Sequence, residues 1–194
     1  MTMCRTIRKI IHAALMACVM ACVTLQFVAC DGLDDIYSNG QLSSYSGQYV
    51  GTWNVDGQSP VDAEAVVYGD SIHFSSLPCK EIVQGLYPDA MVAEASAVRS
   101  CQRLGYSMTS TSDGAVLYLM MPESWSINAN VDGRQRNINI WFCMNAAQQD
   151  KVSWGTLSRN NILTVILHAT SFSVDGGAQQ PMELKLTYKA RRQY

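Results

Sequence analysis

Charge is sparse in this sequence and histidine sparser: Asp, Glu, Lys and Arg make up 15% of 194 residues, with three histidines and a formal net charge of −2. No Lys/Arg run of the kind that neutralises phosphates occurs, which argues against a nucleic-acid partner. No Cys-x-x-Cys pair or Cys/His cluster is present, so a structural zinc site is not expected. A serine hydrolase would need a Gly-x-Ser-x-Gly elbow, and a nucleotide enzyme a glycine-rich phosphate loop; neither occurs. Nor does any spacing single out the two converging carboxylates of a glycosidase. These absences point away from an enzyme, and no cofactor is implied.

The residues that remain for chemistry have plainer readings. His73 alternates outward from Ile72 and Phe74 and reads as a solvated side chain. His168 shares a face with Ile162, Thr164 and Ile166 and reads as a hydrogen-bonded core histidine. Asp34 and Asp35 read as surface charges, and the serines at 107–112 as strand-edge or turn residues.

One long stretch lacks charge altogether. Ile10 to Ala29 holds only apolar and small residues with His12, Thr24 and Gln26, and it follows Arg5, Arg8 and Lys9. A basic segment, an apolar segment and a small residue before the cut are the parts of a secretory signal. Phe27-Val28-Ala29-Cys30 resembles the lipobox of bacterial lipoproteins, which implies a signal peptide over 1–29 and lipid attachment at Cys30, the new N-terminus. Cys18 and Cys22 also follow Leu-Met-Ala and Val-Met-Ala. A cut at Cys18 leaves a short apolar segment and an apolar mature N-terminus, so Cys30 is the expected site. An uncleaved helix is the competing reading, since the run is long enough to span a bilayer. Its basic end would stay inside and the folded part would still be exported.

Taking 29 residues from 194 leaves 165, enough for one domain with a sizeable core. The leader removes three of 14 basic residues and none of the 16 acids, so the mature chain carries a formal net charge of −5. Residues 30–44 are polar and rich in Ser, Asn and Gly, and read as the lipidated cysteine and a flexible tether. The single domain expected over 45–194 keeps Cys79, Cys101 and Cys143. Cys143 lies in an apolar strand pattern and reads as a core residue. If one disulfide forms outside the cytoplasm, Cys79–Cys101 is the expected pair.

Within the domain, period-two alternation dominates. Tyr45, Gly47, Tyr49, Gly51, Trp53 and Val55 share one face of a first strand. Ala63–Tyr68 and Ser71–Ser75 read as a hairpin with Ile72 and Phe74 inward. A helical insertion is expected over about 77–100: Ser76 caps it, Cys79, Ile82, Val83 and Leu86 form its first stripe, and Pro88 interrupts it. Its second piece, from Asp89 to about Arg99, carries Met91, Val92, Ala95 and Val98. Alternation resumes through Ala115–Met121, Trp125–Ala129, Ile138–Met144, Ile162–Phe172 and Leu184–Tyr188. Val-Asp-Gly recurs at 55–57, 131–133 and 174–176 and reads as hairpin turn chemistry. The expectation is a mainly β fold of about 8–10 antiparallel strands, as a barrel or two-sheet sandwich. Ala115–Met121 and Ile162–Leu167 are apolar on both faces, so a cover is expected on each side.

Gly51-Thr52-Trp53 on the first strand resembles the Gly-x-Trp signature of lipocalin and calycin barrels. That resemblance implies a calycin-like barrel in which Trp53 closes one end and stacks on a late Arg, here Arg191 or Arg192. The helical insertion after the third strand departs from the lipocalin order. The layout as a whole, lipobox included, is similar to small lipoproteins of unknown function in Bacteroidetes, some of them calycin-like. Trp125 and Trp154 are the candidates for a ligand rim, where an aromatic ring stacks on a sugar or grips a protein. The function expected is a non-enzymatic, membrane-tethered binding module of the cell envelope, with a small apolar, glycan or peptide ligand. A structural, adaptor or inhibitor-type subunit of an envelope complex is the alternative, and it calls for an exposed apolar patch.

Overall fold

The computed structural model describes residues 44–122, 124–144 and 152–194. The expected signal peptide, Cys30 and all of the tether but Ser44 lie outside them.

The alternation becomes eleven strands: β1 (Gly47–Val55), β2 (Val61–Tyr68), β3 (Ser71–Phe74), β4 (Val92–Ala97), β5 (Arg103–Thr111), β6 (Gly114–Met120), β7 (Trp125–Val131), β8 (Arg134–Phe142), β9 (Trp154–Ser158), β10 (Ile162–Val174) and β11 (Gln180–Arg192). Eight of them run up and down in the order β1-β2-β3-β5-β6-β9-β10-β11, and β11 pairs with β1 to close an antiparallel barrel. The fold is thus a barrel rather than a sandwich, and it is consistent with the calycin-like expectation.

Inward residues fill the barrel. Tyr49, Trp53 and Val55 of β1 are buried, as are Ile72, Phe74, Leu104, Leu117, Val165, Leu186 and Tyr188. Three rings meet in the bore: Trp53 lies 5.0 Å from Phe74 and 5.1 Å from Tyr188, and Phe74 lies 5.1 Å from Tyr188. Such ring pairs add to the stabilisation from their buried area, by about 0.5–1.5 kcal/mol each. Gly51 lets β1 close on β11, since a Cβ there would fall 2.1 Å from the Lys189 carbonyl oxygen and 2.4 Å from Ala190 Cα.

Two insertions leave the barrel at the end opposite Gly47 and Arg192. One, between β3 and β5, holds α1 (Cys79–Leu86) and β4; the other, between β6 and β9, is the β7–β8 hairpin. They pair with each other, β4 with β7, and β8 joins the far half of β10, giving a three-stranded extension β8-β7-β4. A register shift between Ala169 and Ser171 carries β10 from its barrel half into its extension half. The extension has its own core of Ile127, Ile138, Ile140 and Trp125, the last ring 4.7 Å from Phe142. Helix α1 packs chiefly on β4, with Ile82 and Val83 fully buried. A Cβ on its Gly85 would lie 3.4 Å from Leu184 of β11.

Two local expectations change. The second helical piece, from Asp89 to Arg99, is instead the edge strand β4, followed by a 3-10 turn at Arg99–Gln102. Its apolar residues do not form a buried stripe: Val92 is buried, whereas Met91 and Val98 are exposed. Pairing with β7 overrides the helical spacing, as short apolar runs allow. Helix α1 stops at Leu86 ahead of Pro88, but Pro78 rather than Ser76 occupies its N-cap, without a side-chain cap bond.

The Val-Asp-Gly triplets do form turns, and two of their aspartates also tie the extension down. Asp132 (φ 50°) accepts a bond from the Met91 N–H at 2.8 Å. Asp175 (φ 53°) accepts from the Asn137 N–H at 2.9 Å and from Arg136 Nη1 at 2.7 Å.

Candidate functional site

The candidate residues scatter over different environments. Trp53 is fully buried between Phe74 and Tyr188, deep in the bore. Arg192 stands level with Tyr49 at the barrel end where the chain enters, and its charge acts on the Tyr49 hydroxyl. Arg191 points outward, opposite Val50 and Ile162, and lines a shallow outer depression with Lys189. Trp125 is core, fully buried against Phe142, and offers no surface to a ligand. Trp154 is 39% exposed on the outer barrel wall. The structure therefore brings none of Trp125, Trp154 and the two arginines together.

Among the described residues, part of β6 lacks the cover expected over the two-faced apolar strands. Tyr118 (56% exposed) and Met120 (54%) project outward. The β6–β9 ladder matches Leu117 with Gly155, so the next step brings Tyr118 level with Trp154, which itself faces Ile166. This is an exposed apolar strip on the barrel wall.

Histidine chemistry takes a structural form. Ser71 Oγ lies 3.1 Å from His73 Nε2, but the hydroxyl also donates to the Tyr68 carbonyl at 3.2 Å. His168 lies on the outer rather than the inner face of β10. Its main-chain N–H donates to Ser153 Oγ at 3.1 Å, and its carbonyl accepts from the Cys143 N–H at 2.8 Å. These two bonds are made by the histidine's main chain.

Cys79, Cys101 and Cys143 are buried, and the Cys79–Cys101 bridge is not formed here. Burial pushes the Cys79 thiol up to about 12, and the neighbouring Cys101 adds to the rise. A thiol held so far from ionisation is a poor nucleophile and a poor metal ligand at neutral pH. Among the described residues no three His, Cys, Asp or Glu side chains converge as a metal site would require.

Comparison with protein families, curated proteins and solved structures finds no match for the chain.

A fourth tryptophan, which the sequence reading passed over, lies on the best-organised polar surface. The outer face of the extension carries Ser126, Asn128 and Asn130 on β7, matched with Asn139, Asn137 and Gln135 on β8. Asn137 Nδ2 donates to Asn128 Oδ1 at 3.0 Å, Asn139 Nδ2 to Asn137 Oδ1 at 3.2 Å, and Ser126 Oγ to Asn139 Oδ1. Trp141 continues this row on β8, half-buried, opposite Ser171 of β10. The signal was in the sequence: with Ile138, Ile140 and Phe142 inward, Asn137, Asn139 and Trp141 must face out together.

Proposed function

We propose that this chain is an exported lipoprotein, tethered to the cell envelope through Cys30, that acts as a non-enzymatic binding module on the outside of its barrel. The observation that carries the reading is the packed bore. Trp53, Phe74 and Tyr188 occupy the space in which a barrel of this size would otherwise hold an apolar molecule. A ligand then has to meet the outer surface, which favours a glycan or a protein over a small apolar compound. The chain enters the barrel at Gly47, and the two insertions leave at the opposite end.

The adaptor reading keeps one observation of its own, the strip of Tyr118, Met120 and Trp154. Side chains of this kind concentrate at protein interfaces.

The test is fractionation of cells carrying wild type or Cys30→Ala. The variant is expected to leave the membrane fraction while residues 45–194 stay folded, judged by resistance to protease. Unaltered membrane association would overturn the lipid anchor. Solubilised wild type and Tyr118→Ser/Trp154→Ser would then be passed over envelope extract. Capture of one stable protein by wild type but not by the variant would favour the adaptor reading over the binding module.

A further inference from the structure

We propose that the outer face of the β8-β7-β4 extension is a binding site for neutral glycans, with Trp141 as the stacking surface and the Asn128, Asn137 and Asn139 amides as the hydroxyl-reading row. The inference rests on the reading of the domain as a binding module and names its ligand class.

The composition of this face differs from that of the solvated faces of β2 and β11. Solvent-facing positions of β11 carry Glu183, Lys185 and Lys189, and those of β2 carry Asp62 and Glu64. Such charges keep a sheet face soluble and unattractive to other strands. On β7 and β8 the corresponding positions are amides and a hydroxyl, although Asn is disfavoured in strands. On the edge strand the acidic Glu94 is level with Asn130. Arg136 shares the other face of β8 with Ile138 and is tied to Asp175 at 2.7 Å. A phosphate, sulfate or carboxylate ligand would therefore find no cation on the amide rows, whereas a neutral hydroxylated ligand needs none.

The amides are held in place before any ligand arrives. Each Asn has two N–H donors and two acceptor lone pairs. The relay Ser126–Asn139–Asn137–Asn128 uses part of that capacity and fixes the planes of the side chains. What it leaves over is both donor and acceptor, the combination a sugar hydroxyl requires. Fixed side chains also lose little rotamer freedom on binding. Asn130, on the same face, has its Oδ1 buried without a hydrogen-bond partner. Neighbouring strands stand about 4.8 Å apart, which sets the amides on a grid comparable to a sugar ring.

Trp141 supplies the second half of sugar recognition. A pyranose has an apolar C–H face that stacks on an aromatic ring while its hydroxyls turn to polar groups, and tryptophan suits a partly wet site. A peptide is the less suitable occupant, because an extended peptide adds to a sheet through the main chain at an edge rather than across a face of side chains.

The test is affinity electrophoresis of the full-length chain in detergent micelles, through native gels containing amylopectin, galactomannan or the anionic polygalacturonate. Retardation by at least one neutral polymer, and none by polygalacturonate, is expected. Trp141→Ala should weaken it by about tenfold or more, and Asn128→Ala/Asn137→Ala by about fivefold. Both amides are exposed, so the double variant is expected to melt with the wild type and to stay informative if Trp141→Ala does not fold. No retardation in either neutral gel, or retardation by polygalacturonate alone, would overturn the proposal. Neutral-glycan binding that both variants leave unaltered would remove this face as the site while the binding-module reading stands.

Discussion

Gly51→Ala is the sharpest test of how the barrel closes. The added methyl would fall 2.1 Å from the Lys189 carbonyl oxygen, 2.4 Å from Ala190 Cα and 2.6 Å from Ala190 Cβ. These are two backbone atoms and a Cβ, which no rotamer change can move. Restoring an ordinary 3.4 Å contact requires β1 and β11 to separate by about 1.3 Å at this point. A shift of that size strains the flanking ladder bonds, each contributing about 1 kcal/mol net, and adds an overpacking penalty of about 1–3 kcal/mol. A total near 3 kcal/mol corresponds to a fall in Tm of roughly 6–12 °C for a domain of this length. Gly57→Ala is the control. Its φ of +77° carries strain, but nothing lies within 4 Å of the new methyl, so about 1–2 kcal/mol is expected. Thermal melts followed by near-ultraviolet circular dichroism would compare the two, with hydrogen exchange to locate the loosened ladder. Gly51→Ala melting within about 2 °C of wild type, or above Gly57→Ala, would refute close β1–β11 approach as the reason for glycine here.

The remaining predictions concern polar groups, buried and solvated. Burial raises the Cys79 thiol and the Tyr106 hydroxyl to about 12, and raises Tyr49 and Tyr188 as well, whereas the unfolded chain releases these protons near 9.0 and 10.0. Stability should therefore be full below about pH 9 and fall as pH rises towards 12, by up to about 1.4 kcal/mol per pH unit for each group ionised only when unfolded. Urea midpoints that stay level from pH 8 to 11 would contradict this. Tyr188→Phe removes a hydroxyl that bonds the Ala63 and Tyr49 carbonyls, at 3.2 and 3.3 Å, and should cost about 1 kcal/mol in urea unfolding. Asp175→Ala should lower Tm more than Arg136→Ala, because the carboxylate also holds the Asn137 N–H while the ion pair itself is solvated. Equal shifts would show that the backbone bond contributes nothing measurable.

Much of the wall was legible because alternation is local. Alternation places the odd residues Tyr49, Trp53 and Val55 inward in β1, and the even residues Leu184, Leu186 and Tyr188 inward in β11. The Asp-Gly turns were equally readable, since hairpin turns demand residues that tolerate positive φ. Residues 89–99 were not, because four apolar side chains at helical spacing are equally compatible with an edge strand. Only the β7 partner, 30 to 39 positions further along, decides between them. The tryptophans divide in the same way. Alternation marks Trp125 as inward and Trp141 as outward, but the amide relay beside Trp141 depends on matching β7 to β8 residue by residue.

The sequence by itself determined the antiparallel β character and the inward face of most strands, because these rest on period and turn chemistry within a few residues of one another. The tertiary structure decided that the strands close into a barrel rather than stack as a sandwich. It also decided that three rings fill the bore, that two separate insertions build one extension, and that Tyr118 and Met120 stay uncovered. Each depends on which distant strand becomes a neighbour and in what register, and a shift of one residue would send every side chain of a strand to the opposite face.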